Sequence, residues 1–134
     1  MRALQTLITI AAVSVSVQGL AANTETLPSG VRVAHIKPGQ GASPTADSTV
    51  RVHYRGTLPN GTEFDSSYKR SEPASFPLGA VIPCWTQGVQ KMKVGEKARL
   101  TCPAATAYGA RGVPDVIPPN TELTFDIELL GIER

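Results

Sequence analysis

Side chains that carry acid–base, metal or nucleophilic catalysis are scarce in this chain of 134 residues. Only two histidines and two cysteines are present, and their spacing matches no zinc site. The sequence patterns of a serine-hydrolase elbow, a phosphate-binding glycine loop and a zinc-protease helix are also missing. We therefore expect no metal and no cofactor, and we expect any catalysis to depend on the shape of a pocket.

Charge is low and widely spread along the sequence. The formal net charge is +2, and the lysines and arginines form no block. This pattern does not support nucleic-acid binding or docking on an anionic membrane. Internal repeats and low-complexity tracts are absent as well.

Only one long apolar run is present, and it lies at the N-terminus. Arg2 gives a positive start, residues up to Val17 are mostly apolar or small, and small residues follow. This layout is typical of a secretory signal peptide and is too short for a membrane span. An amphipathic helix or an uncleaved anchor is the alternative. The predicted units are a signal peptide, residues 1–22 with cleavage after Ala21 or Ala22, and a periplasmic or secreted domain, residues 23–134.

Cys84 and Cys102 both lie in the predicted exported part. Thiols tend to be oxidised outside the cytosol, so a disulfide between them is one interpretation. It would join the start of a helix to the end of a strand. Two buried free thiols that act as small apolar groups are the alternative.

Alternation of apolar and polar residues predicts about five antiparallel strands. The predicted strands are residues 31–36, 49–58, 62–65, 96–102 and 122–129. The stretch 66–75 is polar and irregular, and residues 76–79 lead to the helix. The long loop 104–120, rich in glycine and proline, has a length that is often functional. One short helix lies between the strands, so we predict an α+β domain in which the helix covers one face of the sheet.

The helix is indicated by a single apolar stripe. Ile82, Trp85, Val89 and Met92 are spaced by three, four and three residues. Pro83 suits the first helical position, and Gly95 is predicted to end the helix. Trp85, the only tryptophan, lies at the start of the helix, where it fills the core or forms the floor of a ligand pocket.

Six short motifs then resemble, in order, those of the FKBP-type peptidyl-prolyl cis-trans isomerases over residues 27–134. They are Val52-His53-Tyr54, Gly61-Thr62-Glu63-Phe64-Asp65-Ser66-Ser67, Val81-Ile82-Pro83-Cys84-Trp85, Ala107-Tyr108-Gly109, Ile117-Pro118-Pro119 and Phe125-Asp126-Ile127-Glu128-Leu129-Leu130. Each motif alone is weak evidence, but six in the right order are specific. The resemblance implies a curved antiparallel sheet of five to six strands wrapped around one short helix.

The resemblance also implies a non-covalent isomerase of X–Pro bonds with an aromatic pocket. Trp85 would be its floor, the Ile82 N–H and the Tyr108 hydroxyl would bind substrate carbonyls, and Asp65 with Arg70 would orient the rim. The implied catalytic residues are Tyr54, Asp65, Ile82, Tyr108 and Phe125, and the implied substrate-binding residues are Phe64, Arg70, Val81, Trp85 and Ile117. Implied partners are proline-containing polypeptides and macrolides such as rapamycin, with no nucleic acid and no membrane. A monomer is expected.

Departures from the family pattern concern the edge of this pocket. Ala74 stands where many members have a phenylalanine, Val113 and Asp115 replace residues of the long loop, and Cys84 takes a place often held by glycine. The segment between Gly79 and Val81 is shorter than in cytosolic members. Alternative functions are a folding chaperone or binding module that uses the same pocket with weak turnover, and a structural domain with a degenerate pocket.

Overall fold

A computed structural model of the chain describes residues 23–133, so the predicted signal peptide lies outside the described residues. Within them the backbone forms seven antiparallel strands and one α-helix, which we number in chain order. The elements are β1 (Thr24–Thr26), β2 (Arg32–Lys37), β3 (Thr49–Thr57), β4 (Glu63–Ser66), β5 (Ala74–Pro77), α1 (Pro83–Val89), β6 (Lys97–Cys102) and β7 (Leu123–Ile132), with single 3₁₀ turns at Tyr68–Arg70, Leu78–Ala80 and Ala104–Thr106.

All seven strands belong to one sheet with the order β1-β2-β6-β7-β3-β4, and β5 also pairs with β3. One edge of β3 pairs with β7, and its other edge is shared between β5 and β4. Its first half, Thr49 to Val52, pairs with β5, and its last three residues, Arg55 to Thr57, pair with β4. Between them Tyr54 bonds instead to Ser67, whose side-chain oxygen accepts the Tyr54 N–H at 2.7 Å. The sheet edge thus opens at Tyr54.

The predicted α+β class and the antiparallel sheet with one helix are confirmed, but two strands were missing from the prediction. β1 has three residues, all exposed, so it carries no apolar alternation. β5 reads Ala-Ser-Phe-Pro, and its proline conceals it because proline is depleted in strands. Both strands are short. They form because a neighbouring strand pairs with them, and their own sequences do not favour a strand.

The core lies between the inner face of the sheet and α1. Val50, Val52, Leu100 and Ile127 are fully buried there. Gly88 lets the helix approach the sheet closely, because a Cβ at this position would lie 2.8 Å from a terminal carbon of Leu100.

The helix begins at Pro83 as predicted but ends earlier than predicted. It stops at Val89, and the chain continues in tight turns in which the Lys91 and Met92 N–H groups bond three residues back. Met92 is still fully buried, which explains why it continued the apolar stripe. Gly95, at φ +95°, turns the chain toward β6 rather than ending the helix. No helix in residues 23–133 is long and apolar enough to cross a membrane.

Cys84 and Cys102 are joined by a disulfide, with their Cα atoms 5.6 Å apart. Both side chains are fully buried. The bond connects the first turn of α1 to the last residue of β6. It therefore fixes the backbone directly beside Trp85.

Strand β2 turns one large apolar side chain outward. Ile36 is out of phase with the buried Val31 and Val33, so alternation along the strand places it on the outer face, where it is 54% exposed. The register then shifts between His35 and Lys37 at the end of the strand.

His35 joins the edge of the sheet to a buried carboxylate. Its Nδ1 is hydrogen-bonded to Glu96, and its Nε2 lies 2.9 Å from a carboxylate oxygen of Glu25 on β1. Glu96 is only 3% exposed and also accepts the Lys93 N–H at 3.0 Å. Partial burial alone would lower the pKa of His35, but hydrogen bonds and charges from the two glutamates outweigh it and raise this pKa above 6.5.

A raised pKa in the folded state means that the folded protein binds this proton more tightly than the unfolded chain. The stabilisation from His35 is then complete below pH 6.5 and is lost as the pH rises through the higher folded value. We expect the free energy of unfolding of the wild type, measured by urea denaturation, to fall as the pH rises from 6.5 through the higher folded-state pKa. A His35→Gln variant should show a flatter profile over that window. Parallel profiles would contradict the assignment.

Candidate functional site

A cavity of about 490 Å³ opens between the inner face of the sheet and the start of α1. This volume lies in the range of small-molecule binding sites. Its lining comes from six separate parts of the chain, which meet where the edge of β3 is divided. The lining residues are Tyr54, Phe64, Asp65, Phe76, Ala80, Val81, Ile82, Trp85, Tyr108 and Phe125.

Trp85 forms the floor of this cavity and is only 5% exposed. Three rings meet it nearly at right angles, those of Phe76 at 5.2 Å, Tyr54 at 5.3 Å and Phe125 at 5.4 Å between centroids. Edge-to-face pairs of this kind are each worth about 0.5–1.5 kcal/mol beyond the area that they bury. The indole Nε1 is buried without a hydrogen-bond partner in residues 23–133, so packing alone holds the ring.

Part of the cavity wall consists of Phe64 on β4 and Phe125 on β7, whose ring centroids lie 5.6 Å apart. Gly56, on β3 between those strands, leaves them the space to meet. A Cβ at Gly56 would lie 2.6 Å from Cζ of Phe64 and 2.9 Å from Cε1 of Phe125. Side-chain contacts that short do not occur, so this aromatic wall requires glycine.

Three polar side chains form a closed hydrogen-bonded cluster at the edge of the cavity. The Tyr54 hydroxyl donates to Oδ2 of Asp65 at 2.6 Å, and the Arg70 guanidinium donates to Oδ1 of Asp65 at 3.0 Å. A second guanidinium nitrogen donates to the Tyr54 oxygen, also at 3.0 Å. The Ser66 N–H donates a third hydrogen bond to the Asp65 carboxylate, at 2.9 Å.

This cluster fixes the charge states of its members. Burial alone would raise the pKa of Asp65, but the bonds from Tyr54, Arg70 and the Ser66 backbone outweigh it and lower this pKa. Burial and the bond to Asp65 raise the pKa of Tyr54 above 10.0. At neutral pH the site therefore holds an ionised carboxylate and a protonated phenol, and neither is poised to transfer a proton.

Two donors at the opening are available to a ligand. Ile82 precedes the first residue of α1, and its N–H has no acceptor within residues 23–133. Tyr108, on the long loop, is 39% exposed, and its hydroxyl makes no hydrogen bond to the described part of the chain. Both residues line the cavity, so an apolar ligand with carbonyl oxygens meets two free donors above the Trp85 ring.

A family model of the FKBP-type peptidyl-prolyl cis-trans isomerases matches residues 40–130. Peptidyl-prolyl cis-trans isomerase Fkbp12 of Drosophila melanogaster is 50% identical over 107 residues, which are 78% of this chain and 99% of that protein. The chain belongs to this isomerase family. FKBP-type isomerase FkpA of Aeromonas hydrophila is 53% identical over 106 residues, 79% of this chain but only 39% of that relative.

Solved structures place the same FKBP fold in bacterial relatives. A peptidyl-prolyl cis-trans isomerase from Pseudomonas syringae has a TM-score of 0.79 and 37% identity, and the match covers 96% of each chain. FkpA from Escherichia coli gives the same TM-score and identity, with coverage of 98% of this chain and 68% of the other.

The structure brings eight of the ten predicted FKBP-site residues to the cavity wall, and two lie elsewhere. Arg70 stands behind the wall and touches Tyr54 and Asp65, and Ile117 is buried in the long loop, where it pairs with Val113. Phe76 and Ala80 line the cavity and were not predicted as site residues. Phe76 lies on the strand that the sequence pattern missed, and Ala80 lies in a 3₁₀ turn without a sequence signal.

The sequence departures lie outside the cavity lining. Ala74, Val113 and Asp115 do not contribute to the wall, and Cys84 points into its disulfide. The shortened segment after Gly79 is the exception, because its single residue Ala80 faces the cavity. The wall is therefore more complete than the departures alone suggested.

Gly56 supplies a test of the aromatic wall. Gly56→Ala should displace Phe64 and Phe125 and lower the free energy of unfolding by about 1–3 kcal/mol, the usual cost of overpacking. Because Trp85 is the only tryptophan, its fluorescence should shift as water enters the cavity. Gly131→Ala is the matched control, since a Cβ there meets nothing within 4 Å. An unchanged emission spectrum in Gly56→Ala would contradict this account.

Proposed function

We propose that this protein is exported and isomerises X–Pro bonds in other exported polypeptides. The observation that carries the proposal is the free Ile82 N–H beside an aromatic floor, in a cavity that also presents the Tyr108 hydroxyl. A prolyl ring fits such an apolar site, and the carbonyls on either side of it need donors. Membership of the isomerase family supports the same reaction.

The chemistry required is rotation about an amide bond, without a covalent intermediate. The barrier is about 18–20 kcal/mol because rotation destroys amide resonance. The planar amide is more dipolar than the twisted one, so a dry aromatic cavity disfavours the planar ground state relative to the transition state. Only such a differential effect increases the rate. Trp85, Phe125 and Phe64 supply the dry surroundings.

The polar groups have positioning roles in this proposal. The Ile82 N–H and the Tyr108 hydroxyl hold substrate carbonyls and keep the peptide in a turned conformation. The hydrogen-bonded cluster of Tyr54, Asp65 and Arg70 holds the side chains at the edge of the cavity in place and carries its charged groups. Each factor of ten in rate corresponds to about 1.36 kcal/mol of barrier, so a few well-placed contacts are enough to matter.

Macrolides such as rapamycin are proposed as competitive ligands of the same cavity. Several relatives bear the name FK506-binding protein 1, among them one from Saccharomyces cerevisiae that is 47% identical over 112 residues, 81% of this chain and 98% of the relative. Macrolide ligands also present carbonyl oxygens and apolar rings, which match the donors and aromatic walls here. We propose that the domain acts as a monomer.

Isomerisation of a proline tetrapeptide tests the function directly. The protein should accelerate cis-to-trans conversion, and rapamycin should inhibit it. Phe125→Leu and Asp65→Val should each lower kcat/KM by about tenfold, because about 1.4 kcal/mol of transition-state stabilisation is lost. Asp65 is 43% exposed, so its replacement leaves the core intact.

Tyr68→Ala is the control, because it truncates an exposed aromatic residue outside the cavity and should leave turnover unchanged. Full turnover in both site variants would show that the site is wrongly assigned. A wild-type protein that binds rapamycin and suppresses aggregation of a proline-free client, but does not accelerate isomerisation, would instead be a chaperone or binding module.

Export is proposed from the signal-like segment at residues 1–22 and is supported by the buried Cys84–Cys102 disulfide, since disulfides persist mainly in oxidising compartments. Mass spectrometry of protein recovered from the periplasm or medium should show an N-terminus at residue 22 or 23 and no free thiol. A full-length cytosolic product with two free thiols would contradict export.

A further inference from the structure

The outer face of the sheet collects cations that are scattered in the sequence. Strands β2, β3, β6 and β7 alternate, and the register pairs Arg99 with Asp126, Lys97 with Glu128 and Lys37 with Lys97 across neighbouring strands. We call this surface the basic face. Its charged residues on these strands are Arg32, Lys37, Arg51, Arg55, Lys97 and Arg99, with Asp126 and Glu128 as the two acids.

All six cationic residues are exposed. Glu63 of the adjacent strand β4 lies against Arg55 and is a third acid at this face. Six cations against three acids leave an excess of positive charge, +3, that is larger than the formal net charge of the whole chain, +2. The remaining surface is therefore net acidic. Such a separation of charge creates a local field that attracts anionic partners and speeds their association.

Part of this charge is neutralised within the protein and part is not. Arg99 binds Asp126, with Nε 2.7 Å from a carboxylate oxygen, and Arg55 lies 2.6 Å from Glu63. Among residues 23–133, Arg32, Lys37, Arg51 and Lys97 form no ion pair. Lys37 and Lys97 are direct neighbours across two strands, so an anion between them would relieve their repulsion.

A groove of about 250 Å³ lies in the same face, with Ile36 and Tyr68 among its lining residues together with Lys97 and Arg99. Ile36 is the most exposed large apolar side chain of the described chain, at 54%, and Tyr68 is 44% exposed. The Tyr68 ring is held by a stack on His53, with centroids 4.6 Å apart. The groove thus offers a fixed apolar wall beside one unpaired cation, Lys97, and beside the Arg99–Asp126 ion pair.

We propose that the basic face docks an acidic polypeptide segment that carries apolar side chains. Carboxylates of the segment would pair with Lys37 and Lys97, and an apolar side chain would enter the groove between Ile36 and Tyr68. This inference goes beyond isomerisation and does not depend on it. The partner is defined by its chemistry, alternating acidic and apolar residues without a need for proline.

An acidic polypeptide fits the charge pattern better than a nucleic acid or a membrane does. Asp126 and Glu128 stand in the middle of the face, where they would repel a continuous row of phosphates or a layer of anionic headgroups. A polypeptide can space its carboxylates so that they meet Lys37 and Lys97 and avoid these two acids. The Tyr68 ring is already stacked on His53, so one of its faces is not available to a nucleic-acid base.

The docking face and the cavity lie on opposite sides of the same sheet. Tyr54 points inward to the cavity, and the next residue, Arg55, points outward to the basic face. One polypeptide can therefore occupy the docking face while the cavity remains open. Such an arrangement would hold an acidic client near the isomerase site.

Fluorescence anisotropy with a labelled, proline-free peptide of glutamate and leucine tests the proposal on the mature protein. The peptide should bind, and added salt should weaken the binding because exposed charges are screened. Lys37→Glu together with Lys97→Glu should reduce the affinity by about tenfold or more, because attraction becomes repulsion. Rapamycin should not displace the peptide, and tetrapeptide isomerisation should be unchanged in this double variant.

Lys91→Glu together with Lys93→Glu is the matched control, because it makes the same charge change at exposed positions beyond α1. It should alter the affinity by no more than about twofold, as expected for distant screened charges. Equal losses in both double variants would overturn the proposal, as would a peptide that does not bind. So would stronger binding of single-stranded DNA or phosphatidylglycerol vesicles that depends on Lys37 and Lys97.

Discussion

The edge-on packing of three rings against Trp85 is the constraint on which the rest of the site depends. The indole N–H has no partner within the described chain, so the position of the ring comes from Phe76, Tyr54 and Phe125 alone. Those rings come from three different strands. The floor of the cavity therefore exists only when the sheet is complete, and the adjacent Cys84 disulfide ties its backbone to β6.

The division of the β3 edge explains why the cavity lies where it does. A single long partner strand would have closed the edge, whereas β5 and β4 cover its two ends and leave Tyr54 between them. The Ser67 side-chain oxygen accepts the Tyr54 N–H where a neighbouring strand would otherwise do so. The 3₁₀ turn that follows, Tyr68–Arg70, brings Arg70 to the Tyr54 hydroxyl. The same break thus provides both the opening and the polar cluster at its edge.

The sequence predicted the parts of this molecule that have their own periodicity. β3, β6 and β7 alternate clearly, and Trp85 lies in a helical stripe, so the central sheet and the helix followed from the pattern. The pattern left Trp85 open between core and pocket floor, and only the family resemblance implied the floor. β5 and Phe76 did not, because a four-residue strand that ends in proline depends on its pairing with β3. Gly56 was also missed, since its role is the space that it leaves for Phe64 and Phe125.

Alternation along the strands also explains why the sequence alone did not reveal that the cations gather on one face of the sheet. Read in sequence, Arg51, Arg55, Lys97 and Arg99 are separated by other residues and form no block, which argued against a nucleic acid or an anionic membrane as a partner. In the sheet the apolar residues among them turn inward, and the cations meet side by side on the outer face. A low net charge therefore says little about a β protein whose strands sort charge to one side. The inner face supplies an apolar cavity for the X–Pro bond, and the outer face supplies the field to attract an acidic chain.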